Sequence, residues 1–94
     1  MPAQTPTRSS NRPPTRQDLP KFRVILHNDD VHDMAFVTDT LRLAMPFSAS
    51  DAWRLMFVAH HYGKSLLVTV HQELAELYRD KLRSRGLTVS LEAA

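Results

Sequence analysis

From Lys21 onward the apolar residues switch between a spacing of two and a spacing of three to four, and the switches mark out elements. Phe22, Val24 and Leu26 alternate with polar or outward positions, as a half-buried strand requires. Met34, Val37, Leu41 and Ala44 then fall on one helical face, with Phe36, Thr40 and Leu43 on the next, until Pro46 ends the helix. Ser48 followed by Asp51 is a capping signal for a second helix, Ser50 to His61. Its stripe is Ala52, Leu55, Met56 and Ala59, flanked by Trp53, Phe57 and His60, and Gly63 occupies the left-handed closing position. Leu66, Val68 and Val70 read as a second strand. Gln72 to Arg85 reads as a third helix on Leu74, Leu77, Tyr78 and Leu82, with Arg79, Lys81, Arg83 and Arg85 suiting its C-terminal dipole. Gly86 stops it, and Leu87, Val89 and Leu91 alternate as a last short strand. The order β-α-α-β-α-β predicts one α+β domain, three helices packed on a small three-stranded antiparallel sheet.

The residues before this domain have almost nothing to bury. Residues 1–20 are rich in Pro, Thr, Ser and Arg and are expected to be a disordered N-terminal extension to a core at 21–94. With 94 residues and 43% apolar content, the chain supports a single modest core. It has no Cys, which excludes disulfides and thiolate metal sites and agrees with a cytoplasmic protein. No apolar run approaches the roughly 20 residues of a membrane span, so no membrane role is expected. The net charge of +2 belongs to the extension, where Arg8, Arg12 and Arg16 outnumber Asp18. From Lys21 on, nine Lys/Arg balance nine Asp/Glu. A neutral domain without interleaved aromatic and basic residues is a poor nucleic-acid platform.

The candidate chemistry lies between the first strand and the first helix, at Asn28-Asp29-Asp30. Two carboxylates and a carboxamide form an acceptor-rich cluster suited to a compact cation, an ammonium being the simplest. Three uses are open to it. It can cap the helix, as Asp and Asn before helices commonly do, with Asp30 the residue left for that task. It can hold a metal with His32 and His60, although the adjacent His60 and His61 point about 100° apart on their helix. It can bind an amine, with Met34, Val37, Met56 and Ala59 forming an apolar pit beside it. Catalysis is not expected. There is no activated nucleophile, and Gly63 and Gly86, the only glycines, make no phosphate loop.

The stretches Leu26-His27-Asn28-Asp29-Asp30, Met34-Ala35-Phe36-Val37, Met56 to His60, Gly63-Lys64 and Leu87 to Ala93 resemble the ClpS adaptor family. The resemblance covers nearly all of 21–94. It implies a non-enzymatic adaptor without cofactor, expected to be a monomer. Such an adaptor binds proteins whose first residue is Leu, Phe, Tyr or Trp. It hands them to the N-domain of a Clp AAA+ unfoldase of ClpA or ClpC type, working with ClpP protease. By the same resemblance, Asn28, Asp29 and His60 hold the substrate α-amino group, and Met34, Val37, Met56, Ala59 and Leu87 form the side-chain pocket. Met34 is the gate against β-branched residues, Asp30 and His32 stand at the rim or touch the substrate backbone, and Glu73 and Tyr78 meet the unfoldase. The chain departs from the family pattern in His32-Asp33 for Thr-Pro, in Ala59 for a larger Val, and in Tyr78 for Lys. The alternative reading is a module of the same fold that binds an internal peptide or partner helix and has lost amine recognition.

Overall fold

The computed structural model describes residues 19–94, and the extension expected at 1–20 lies almost wholly outside them. The elements are β1 (Lys21–His27), α1 (Met34–Ala44), α2 (Ala49–Tyr62), β2 (Lys64–His71), α3 (Gln72–Ser84) and β3 (Thr88–Ala93). The order is the one the hydrophobic spacing predicts. The sheet is antiparallel, in the order β2-β1-β3, so the first strand is its centre.

Being central explains a departure from simple alternation. Val24, Ile25 and Leu26 are all buried, because β1 is flanked on both sides. Val24 and Leu26 join the core under the helices, while Ile25, on the opposite face, is flanked by Leu66 and Ser90. Burying each such side chain contributes about 1.5–3 kcal/mol.

The strand phase of β2 also differs from the expectation. Val24 pairs with Val68 but Ile25 pairs with Leu66, so Leu67 is an extra residue in a bulge. At and before the bulge Ser65 and Leu67 are buried, and Leu66, expected inside, is 49% exposed. Downstream, Val68 and Val70 pack against the core as expected. In α3 Leu82 is fully buried as expected, but Ala75 is buried with it and Leu77, expected inside, stands at the surface.

The helix ends follow local chemistry. The Ser48 hydroxyl accepts from the Asp51 N–H at 3.1 Å, and Gly63 closes α2 at φ 98° while donating to the Ala59 carbonyl. Asp33, not Asp30, caps α1: its carboxylate accepts from the Phe36 N–H at 2.7 Å. Because α1 begins at Met34, the capping position falls on the residue just before it.

Candidate functional site

Asn28, Asp29 and the loop to Asp33 leave the end of β1 beside the C-terminal end of α2. The Asn28 N–H donates to the Gly63 carbonyl at 2.9 Å, tying the loop to the turn that closes α2. A cavity of about 20 Å³ opens there, lined by Asn28, Asp29, His32, Met34, Val37, Met56, Ala59 and His60 together with Leu26 and His27. The polar trio and most of the apolar set expected from the sequence therefore share one wall-to-wall site. Two expected residues lie outside its lining. Leu87 is 4% exposed within the core cluster, and Asp30 faces solvent. His27 is a wall that the apolar and acidic pattern does not mark. Its place at the strand end, one residue before Asn28, was the available signal, and its Nε2 lies 2.7 Å from the Ser90 hydroxyl on β3.

Asp29 is fixed by its own loop. Its Oδ1 accepts from the N–H groups of Val31 at 3.0 Å and His32 at 2.8 Å. The His32 ring nitrogen Nδ1 lies 3.3 Å from both carboxylate oxygens. Burial opposes ionisation here, but the hydrogen bonds from His32 and Val31 and the His32 charge outweigh it and hold the carboxyl below its ordinary range. His32 is itself held on its other sides: its ring stacks on Phe36 with centroids 4.8 Å apart, and it rests against Gly86. The cavity thus presents an oriented, ionised carboxylate whose Oδ2 has only the His32 ring as partner. Beside it are a carboxamide, the imidazoles of His27 and His60 and an apolar floor of Met56 and Ala59.

Among the described residues, no three His, Asp or Glu side chains converge to hold a metal ion, so the His32-Asp29-His60 set does not form a metal centre there. No described helix is long and apolar enough to cross a membrane. Glu73 is exposed in the first turn of α3, whereas Tyr78 is half-buried against the core.

The family model described as the ATP-dependent Clp protease adaptor protein ClpS matches residues 17–90. The chain belongs to the ClpS family. The ClpS adapter protein of Synechococcus sp. (strain CC9902) is 40% identical over 98% of this chain and 97% of its own length. That of Nostoc sp. (strain PCC 7120) is 38% identical over 99% of this chain and 96% of its own length. A solved structure of Agrobacterium tumefaciens ClpS2 bound to L-phenylalaninamide superposes with a TM-score of 0.74 at 26% identity, covering 80% of this chain and 98% of that one. The family is one of ATP-dependent Clp protease adaptors.

Proposed function

We propose that the chain is an N-degron adaptor that holds the free α-ammonium of a protein beginning with Leu, Phe, Tyr or Trp. One observation carries the reading: Asn28, Asp29 and His60 line the same cavity as Met34, Val37, Met56 and Ala59. A cation-accepting lip over an apolar floor matches one kind of group, a free peptide terminus with a large apolar first side chain. The relative bound to L-phenylalaninamide, a free amine on a benzyl side chain, supports it.

In this reading the ammonium pairs with Asp29 Oδ2, the Asn28 carboxamide oxygen and the His60 ring. Each good charge-assisted bond contributes about 1.5–3 kcal/mol, and burial of a Leu or Phe side chain contributes roughly the same. Set against the ordering of a peptide end, an affinity near about micromolar follows. That strength suits an adaptor that must release its cargo. Met34 stands at the edge of the cavity: it is the first residue of α1, 43% exposed, and an unbranched thioether with three rotatable bonds, suited to adjust to an entering side chain. His32 and Asp30 stand where the substrate backbone leaves.

Cargo then passes to a Clp AAA+ unfoldase N-domain of ClpA or ClpC type, with ClpP protease. Glu73 offers that partner an exposed carboxylate, and the half-buried Tyr78 lies on the same helix. Fluorescence anisotropy with peptides beginning Leu, Phe, Tyr, Trp, Ile and Val tests the reading. The first four should bind and the β-branched pair should not; indifference to the first residue would refute it.

A further inference from the structure

The ring that holds Asp29 can itself change charge. His32 Nδ1 lies 3.3 Å from both Asp29 oxygens, and Oδ1 also accepts from the Val31 and His32 N–H groups. Oδ2 is the less occupied oxygen, and the ring stands beside it. A carboxylate only accepts, so Nδ1 carries a hydrogen in either charge state of the imidazole. The change of charge therefore falls on Nε2, on the Gly86 side of the ring. Taking up a proton there breaks no contact with Asp29. It adds a positive charge next to the place that is to receive one.

The packing keeps that charge where it acts. A loosely held imidazole would swing into water on becoming charged, but His32 stacks on Phe36 at 4.8 Å with the planes 17° apart, and Gly86 stands against its far edge. Its side chain is 25% exposed and that of Asp29 17%, so water screens the pair only in part. An ammonium at the usual distance of about 2.8 Å from Oδ2 would put its nitrogen no more than about 6 Å from Nδ1. The other ionisable groups around the ring are His27 of β1 and His60 of α2 in the same cavity, Arg85 beside Gly86, and the exposed Asp30 and Asp33 of its own loop. Among the described residues, Asp29 is the acid that pairs with it.

We propose that His32 is a positioning residue for Asp29 whose charge gates amine capture. Neutral, it orients the carboxylate and leaves the negative charge for the ligand; charged, it cancels that charge and repels the ammonium. The gate rests on the amine-pocket reading and gives that site a lower pH limit. Two titrations oppose each other here. Histidine changes charge between about pH 5 and 8, and a peptide α-amino group near about pH 8. Falling pH makes the ligand more cationic, which alone would tighten binding, whereas charging His32 loosens it.

The test is anisotropy with a labelled peptide that begins with a free Phe, measured from pH 7.5 down to 5.5 on the wild type and His32→Asn, both checked by circular dichroism melts. The Asn amide nitrogen can donate to Asp29 from the place of Nδ1 but cannot take up a proton. Within each protein the affinity at pH 7.5 is divided by that at pH 5.5, so a difference in absolute strength cancels and His27 and His60 contribute to both. This quotient should be about tenfold larger in the wild type. A second readout needs no variant. Followed by NMR in the wild type, the His32 ring should titrate at a lower pH with the peptide bound than without it, because the coupling is reciprocal. Equal quotients, or a His32 titration that the peptide does not move, would overturn the gate and leave the amine pocket standing. Failure of the free-amine peptide to bind the wild type at every pH would overturn both.

Discussion

Asp29 and His32 are joined through backbone and side chain at once, by the His32 N–H at 2.8 Å and the His32 ring at 3.3 Å. The carboxylate that would receive a substrate amine is therefore oriented before any ligand arrives. Such preorganisation lowers the ordering cost of binding.

The same contacts make a pH prediction. Hydrogen bonding keeps the Asp29 pKa lower in the folded state than in the unfolded chain. The group therefore stabilises the fold above its unfolded pKa, and that contribution fades as the pH falls through the folded value. Thermal melts of wild type and Asp29→Asn should differ most at neutral pH and converge below about pH 4. A gap that widens on acidification would contradict the assignment.

Gly86 tests how tightly His32 is held. It adopts φ 93°, and a β-carbon there would stand 3.0 Å from His32 Nε2. Gly63 has a similar φ of 98° but open space around it. Gly63→Ala should cost only the backbone strain, about 1–2 kcal/mol. Gly86→Ala should cost the same strain and also displace the ring. Melts should place Gly86→Ala lower, and only this variant should weaken binding of a Phe-initiated peptide.

Asp33→Ala removes the cap on α1. A loss of about 1 kcal/mol is expected, lowering Tm by roughly 4–8 °C for a domain of this size. Asp30→Ala should leave Tm nearly unchanged. Equal effects would contradict the capping assignment.

Ala59 lies under the cavity, 3% exposed, so its size sets the depth of the floor. Ala59→Val should penalise Trp and Phe as first residues more than Leu, moving the preference toward Leu. A wild-type ranking already led by Leu, or an unchanged order in the variant, would argue against Ala59 as the determinant.

What could be read from the chain follows from the range of each interaction. The ends of α2 were legible because Ser48 and Gly63 act on backbone groups within a few residues. The stripe Ala52, Leu55, Met56, Ala59 was legible because one helix face meets one core. Leu66 was misplaced because a bulge is a property of two paired strands, and nothing in the spacing of Leu66, Leu67 and Val68 announces it. Which of Asp29, Asp30 and Asp33 caps α1 depends on the residue at which the helix begins, and the apolar spacing leaves that start uncertain by a few residues. The pairing of Asp29 with His32 was not visible at all, since it depends on the loop folding back within three residues.

The central claim is that Asn28, Asp29 and His60 receive a free α-ammonium. One peptide beginning with Phe, measured by anisotropy with its amine free and then acetylated, tests it most directly. Acetylation removes the charge and keeps the side chain, so affinity should fall by about 100-fold or more. Equal affinity of the two forms would show that the pocket reads the side chain alone, and the account of the amine site would be wrong.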